Sequence, residues 1–277
     1  MPAFTFLGNE FVLVAAPFSD GIRPAMLLYR LDQRPSDSIE NTDSFLLRLL
    51  FQTPHPAPEG TLVNLTSDPS PCWSSSPTLP LPFQVACGER TIALNLNHLY
   101  PRGSRFQTFL IPAKAILAHV GDLAVGEEGR DIEWEGWGSS CAQPVLHDPE
   151  WGTWTCFVFG MRHVMAEATH HDDRHVMIVR DLCPMRFMRA SEEERNESEA
   201  LYQEMGYKEP YPRSIVKSVP LPRSIRKSSN LRLMISEDGI IVLEVRRMRV
   251  CVFMAARLML LGCRMPIRNC FICSHSD

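Results

Sequence analysis

The chain is organised around the segments DIEWEGWGSS (131–140), EWGTWTCFVFGMRHVMAEA (150–168) and RHVMIVRDLCPMRFMRA (174–190). Two runs in this region, Thr155–Val164 and His175–Leu182, are rich in Val, Phe, Ile and Met, which is the composition of β-strands. The polar insert AEATHHDDR separates them. The region therefore predicts a pair of strands joined by a long loop.

Tryptophans are concentrated in the same region, since four of the five lie within 21 residues: Trp134, Trp137, Trp151 and Trp154. Each indole offers a large apolar face and one N–H donor, so such a cluster usually fills a seam where loops cross a sheet. We expect Trp134, Trp137 and Trp154 to be mostly buried and structural. Trp151 should be the most exposed because it follows the turn residues 147–150. The alternative is a platform on which a ligand stacks.

Three motifs in this region resemble the F-box-like proteins of mushroom-forming fungi. Residues 133–138 read EWEGWG where that family has a form close to PWEEWGP, and residues 159–164 read FGMRHV where it has YGxRxV. Residues 179–184 read VRDLCP, with Leu182 and Cys183 in place of the Phe-Asn of the family's LDFNP. The resemblance covers about residues 4–245. The candidate partner-binding or structural residues are Trp134, Trp137, Trp151, Trp154, Arg162 and Asp181.

The resemblance implies a non-enzymatic protein-interaction domain, similar to the substrate-recognition part of an F-box protein in a cullin-type ubiquitin ligase. An F-box is a helical module of about 40 residues, whereas residues 1–60 contain the β-type runs FVLVAA, AMLLYRLD and FLLRLLF. We therefore expect an unknown protein partner. The ligase adaptor becomes a partner only if an F-box exists upstream.

Composition sets the outer limits of function. The 277 residues are 45% hydrophobic, which is enough to bury a sizeable core. A net charge of −4 gives no general attraction to nucleic acid or to anionic lipid. No apolar run is long enough to span a membrane, and the first residues do not resemble a signal peptide. We expect an intracellular protein in which the nine cysteines are reduced.

The rest of the chain reads as short apolar strands separated by Pro, Gly, Asn and Asp. Helix is predicted for Ala113–Val120 and for Ser191–Met205, where Ser191 and Glu194 match a capping box; the latter segment is otherwise a solvated acidic loop. Residues 206–224 contain four prolines and are predicted to be a loop. The predicted strands are Phe11–Ala16, Ala25–Asp32, Phe45–Phe51, Thr61–Thr66, Phe83–Ala86, Arg90–Asn97, Arg105–Ile111, Leu231–Ser236, Gly239–Arg246 and Arg249–Met254.

These elements predict an all-β, antiparallel fold, in the form of a partial or irregular β-propeller-like domain with one short acidic helix or loop insert. A β-sandwich or another open β fold is the first alternative, and a mixed α/β fold is the second. The recognition domain is predicted to span residues 1–250. Residues 251–277 form a basic tail that holds four of the nine cysteines and is expected to pack poorly.

Potential chemistry is limited to two groups of metal-ligand residue types. One comprises His163, His170, His171, Asp172, Asp173 and His175, and the other comprises Cys263, Cys270, Cys273 and His275. A polar loop and a lone Cys-x-x-Cys pair produce such groups by default, and no nucleophile elbow, phosphate loop or dinucleotide motif is present. We expect no catalytic, cofactor-binding or metal-binding residues. The alternative is an enzyme on a β scaffold with its site near Trp134–Trp154 and His163–His175.

Overall fold

The computed structural model describes residues 3–8, 10–17, 24–31, 45–52, 58–67, 89–121, 123, 129–145, 157–168, 175–204, 214–221, 230–235, 240–246, 249–255 and 271–273. The chain divides into two compact units, Met1–Pro149 and Glu150–Asp277. No helix in the described part of the chain is both long enough and apolar enough to cross a membrane.

Strands dominate both units. The first unit contains β1 (Ala3–Leu7), β2 (Phe11–Pro17), β3 (Pro24–Arg30), β4 (Leu47–Leu50), β5 (Gly60–Thr66), β6 (Thr91–Tyr100), β7 (Gly103–Pro112), β8 (Arg130–Ile132) and β9 (Gln143–Val145). The second contains β10 (Phe157–Phe159), β11 (Arg162–Ala168), β12 (His175–Asp181), β13 (Ile215–Pro220), β14 (Asn230–Ile235), β15 (Ile240–Arg246), β16 (Arg249–Ala255) and β17 (Phe271–Cys273). The helices are α1 (Ala113–Gly121), α2 (Trp134–Cys141), α3 (Pro184–Arg189) and α4 (Glu192–Glu204).

The described strands of the first unit form two sheets. Sheet A has the order β1-β2-β3-β4-β8, with antiparallel neighbours except for the parallel pair β4 and β8. Sheet B is antiparallel, with the order β5-β6-β7-β9. Alternate residues of a strand point to the same face, and the inner faces of both sheets contribute to one apolar core. Leu13, Leu28 and Leu47 represent sheet A in this core, and Ile92 and Leu94 represent sheet B.

In the second unit the described strands also form two sheets, both antiparallel. Sheet C has the order β10-β11-β12-β13, and sheet D has the order β14-β15-β16-β17. Helix α4 lies along β13, which is an edge strand of sheet C. The Ser198 hydroxyl accepts a hydrogen bond from the Val216 N–H at 2.8 Å and donates one to the Ser214 carbonyl at 3.3 Å. The helix thereby occupies backbone groups that an edge strand would otherwise leave open.

The prediction of a mostly β, antiparallel fold is confirmed. Helices α1 and α4 also lie where helix was predicted, and the hairpin of β14 and β15 matches the predicted strand pair. Predicted strand Phe83–Ala86 lies outside the described residues. The division into a domain over 1–250 and a tail over 251–277 stays a prediction, although β16 crosses residue 250 and β17 pairs with β16.

Three local predictions are wrong. Thr155–Val164 is not a single strand, because Gly160 takes a left-handed φ of 58° and turns the chain between β10 and β11. Residues 215–220, inside the predicted loop, form β13, which tolerates Pro220 because it is an edge strand of sheet C. Helix was expected only at α1 and α4, yet α2 and α3 are also helical.

Candidate functional site

The two described tryptophans of the predicted cluster lie on helix α2, immediately after strand β8. Trp137 has no solvent exposure, and its Nε1–H donates a hydrogen bond to the Leu50 carbonyl at 3.0 Å. Trp134 is half-buried and packs against the same core. The expected burial is confirmed for Trp137 and is partial for Trp134, whereas Trp151 and Trp154 lie outside the described residues.

Four rings form what we call the aromatic corner: Phe51, Phe109, Trp134 and Trp137. Trp137 meets Phe51 and Trp134 edge-on, with centroids 5.0 and 5.2 Å apart. Phe109 lies 5.4 Å from Phe51 and 5.2 Å from Trp134. Because Phe51 follows β4 of sheet A and Phe109 belongs to β7 of sheet B, the corner joins both sheets to α2. Trp137 is therefore a core residue, and Trp134 packs against the same core.

Gly138 explains part of the Trp-Glu-x-Trp-Gly pattern. A Cβ atom at position 138 would fall inside the Trp134 ring, far closer than van der Waals contact allows. Only glycine lets the indole of Trp134 lie against the helix backbone at this point. The sequence motif is thus a packing motif in which the ring of residue 134 covers the glycine four residues later.

Arg162 and Asp181 sit opposite each other on β11 and β12. Their closest charged atoms are 3.8 Å apart, and the Asp181 carboxylate also accepts the Cys183 N–H at 3.0 Å. Burial raises the pKa of Asp181, and the Cys183 hydrogen bond and the nearby Arg162 and Arg186 charges oppose that rise. Asp181 therefore fixes the turn from β12 into α3. This contact explains why β12 ends on an aspartate.

A second buried pair crosses the same two strands. His163 and Arg180 are opposite each other, both fully buried, and Arg180 Nη1 lies 3.3 Å from His163 Nδ1 and 3.1 Å from Met165 Sδ. A guanidinium beside a histidine disfavours a metal cation there.

The other metal candidates cannot be placed as ligands. Only the backbone of His175 and Cys273 is described. The remaining candidates lie outside the described residues: His170, His171, Asp172, Asp173, Cys263, Cys270 and His275. Among the described residues, no three His, Cys, Asp or Glu side chains are grouped as a metal site would require.

An ion-pair network joins α3, α4 and β13 through Arg186, Glu194 and Lys217. Glu194 accepts hydrogen bonds from Arg186 at 2.7 Å and from Lys217 at 3.0 Å, and these contacts lower the pKa of Glu194 to about 2. The Glu194 N–H donates to the Ser191 hydroxyl at 3.2 Å, and the Ser191 N–H donates to the Glu194 carboxylate at 3.4 Å. This reciprocal pair is the predicted capping box, which is confirmed.

The outer face of sheet A carries a group of apolar side chains that are at least partly exposed. We define the apolar face as the six outward-pointing side chains of three adjacent strands: Phe4 and Phe6 on β1, Val12 and Val14 on β2, and Leu27 and Tyr29 on β3. Phe4 is 61% exposed, and the other five are partly exposed. The register places Phe4 beside Val14 and Val14 beside Leu27, so the six side chains are contiguous. Sequence alternation marks these positions as one face, but it cannot tell which face of a strand the core covers.

No family model, curated protein or solved structure matches this chain.

Proposed function

We propose that this chain is a non-enzymatic protein-interaction domain, similar to the substrate-recognition part of a fungal F-box-like protein. The observation that carries the proposal is the apolar face of sheet A. Its six side chains are contiguous and at least partly exposed, so they offer a partner an apolar surface to cover. The six side chains stand on hydrogen-bonded strands, so they are held in position before a partner arrives.

The motif residues support this proposal through the fold that they stabilise, which is the structural role expected from the sequence for Trp134 and Trp137. Trp134, Trp137 and Asp181 hold elements together, as do Gly138 and the Arg162–Asp181 pair. These residues stabilise the fold, and the proposed binding surface is the apolar face of sheet A, which lies outside the motifs. On this proposal, the motif residues specify the fold, and residues outside the motifs select the partner.

We further propose that the sheets are blades of a β-propeller-like domain. Sheets C and D each consist of four strands that follow one another along the chain and pair antiparallel with their neighbours. In sheet A, β1 to β4 repeat this arrangement. Successive four-stranded meanders of this type are the building units of propellers.

Recruitment of a ligase adaptor is not part of the proposed activity of these 277 residues. An F-box is helical, and residues 3–52 contain the four strands β1 to β4 among their described positions. On this proposal the chain supplies the partner-binding function of a receptor.

Affinity purification tests the proposal. The tagged chain is incubated with a lysate of a mushroom-forming fungus, and bound proteins are quantified with and without an excess of untagged chain. We expect at least one protein that the untagged chain displaces, and neither adaptor nor cullin. Recovery of adaptor and cullin with the 277 residues alone, or no displaceable protein at all, would overturn the proposal.

A further inference from the structure

We propose that His98 makes sheet B sensitive to acid: the neutral imidazole holds β5 against β6, and uptake of a proton by this ring loosens the sheet. The inference goes beyond the proposed function and does not depend on it. It follows from the place of His98 in the sheet, from the groups around the imidazole and from the charge that a proton would add.

His98 lies on the core-facing side of sheet B. Alternate residues of a strand share a face, and Leu94 and Leu96, four and two residues before His98, belong to the apolar core. His98 itself is only 1% exposed. A proton on the imidazole would therefore create a charge that is removed from water, which is unfavourable unless the surroundings compensate it.

One hydrogen bond joins His98 to the neighbouring strand. Thr61 of β5 is the cross-strand partner of His98, and its Oγ1 lies 3.0 Å from His98 Nδ1. A hydroxyl can donate to a neutral Nδ1 or accept from a protonated one, so this contact is possible in both charge states. Because β5 is an edge strand, the contact helps to hold it in sheet B. It does not compensate for a charge on the ring.

The rest of the imidazole lacks that compensation. Nε2 is buried, and no described residue supplies it with a hydrogen bond. A protonated imidazole has an N–H donor at both nitrogens, and a buried charged donor without a partner is especially unfavourable. Arg105 of β7 is the cross-strand partner of His98 on its other side. Its like charge disfavours protonation further, although Arg105 is exposed and solvent weakens the repulsion.

The balance of these effects favours the neutral ring. Burial lowers the pKa of His98, contact with the Gln107 side chain raises it, and the Arg105 charge lowers it, with a net shift downward. In the folded chain His98 therefore stays neutral at pH values where an ordinary histidine, with a pKa of about 6.5, already carries a proton.

Other titratable groups near this end of the sheet are few among the described residues. Glu59 lies two residues before Thr61 and is exposed, and Tyr100 lies two residues after His98 and is half-buried. The strands β1 and β2 of sheet A contact β5, and their core-facing positions carry no charged residue. No described carboxylate is therefore buried beside the imidazole to stabilise its protonated form.

This arrangement couples proton uptake to opening of the sheet. The pKa of His98 is lower in the folded chain than in the opened chain, so the opened chain binds more protons between these two values. The stability that the neutral ring supports is complete above about pH 6.5 and is lost as pH falls from there toward the folded pKa. Uptake of one proton raises the opening equilibrium by up to about tenfold for each pH unit in this window.

Amide hydrogen exchange of the full 277-residue chain tests the inference. Protection factors of β5 and β6 are measured between about pH 7.5 and pH 5 in the wild type, His98→Gln and Arg105→Gln. We expect those of the wild type to fall by up to about tenfold per pH unit below about pH 6.5, and those of His98→Gln to fall less. Arg105→Gln should raise the folded pKa of His98 and so narrow the window. His119→Gln is the matched control, because it removes a half-buried histidine of α1 in the same unit, and it should behave as the wild type does.

The chemical shifts of the ring nitrogens provide a second measurement that needs no variant at position 98 to fold. We expect a neutral His98 imidazole in the folded wild-type chain at about pH 6, where an ordinary histidine is mostly protonated. A protonated ring at this pH would overturn the inference. Equal pH dependence of the protection factors in the wild type and a folded His98→Gln would overturn it as well. If His98→Gln does not fold, the ring shifts of the wild type decide the question.

Discussion

Replacement of Trp137 by alanine should remove most of the stability of the first unit. The side chain is fully buried, touches Phe51 and Trp134 edge-on, and donates one hydrogen bond to the Leu50 carbonyl. Truncating a buried aromatic ring costs about 3–5 kcal/mol, and the lost hydrogen bond adds about 1 kcal/mol. The total, about 4–6 kcal/mol, matches the whole stability of a domain at the low end of the usual range of about 5–15 kcal/mol.

Two further variants divide this cost into its parts. Trp137→Phe keeps a ring at the aromatic corner and removes the N–H donor, so we expect a loss of about 1–2 kcal/mol. Glu135→Ala is the matched control, because Glu135 is exposed on the same helix; its cost should stay within about 0.5 kcal/mol.

Urea unfolding followed by far-UV circular dichroism measures all three variants against the wild-type chain. The expected order of destabilisation is Trp137→Ala, then Trp137→Phe, then Glu135→Ala. An alanine variant that unfolds within about 1 kcal/mol of wild type would refute the assignment of Trp137 as the residue that joins both sheets to α2.

Three further predictions concern other contacts. Gly138→Ala should destabilise the first unit by more than about 2 kcal/mol, since the added Cβ displaces the Trp134 ring, and a normal melting temperature would contradict this. Ser198→Ala should cost about 1–3 kcal/mol and speed amide exchange at Val216, whose N–H loses its acceptor; unchanged exchange would argue against the contact. The pKa of Glu194 lies near 2 in the folded protein, so its contribution is complete above the unfolded value and disappears as pH falls from about 4.5 toward 2. With its side chain 28% exposed, solvent screening limits that contribution to about 1 kcal/mol, and Glu194→Gln should remove this part of the acid dependence, whereas equal acid dependence in both proteins would refute it.

The strands of the first unit could be predicted because their burial follows from alternation and from turn residues. Phe11–Ala16 and Arg90–Asn97 were expected as strands; β2 contains all of the first, and β6 contains all of the second except Arg90. The capping box at Ser191 was equally visible, because both of its hydrogen bonds join residues only three apart. Sequence patterns were sufficient to predict an element where the contacts that stabilise it join residues close together in the sequence.

Helix α2 could not be predicted from local patterns. Its sequence WEGWGSSC contains two glycines and two serines, which have low or moderate helix propensity. Tertiary contacts stabilise it instead, above all the burial of Trp137 against Phe51. The partners in the aromatic corner, Phe51 and Phe109, lie far away in the sequence, so the tryptophan cluster predicted a packed seam without showing what it packs against.

The central claim is that the chain binds a protein partner and leaves it chemically unchanged, and calorimetric titration of the purified partner tests it most directly. We predict heat that saturates at one equivalent, a negative heat-capacity change from apolar burial, and an unchanged intact mass of the partner after incubation. Heat that continues in proportion to time, or a change in the partner's mass, would contradict the claim.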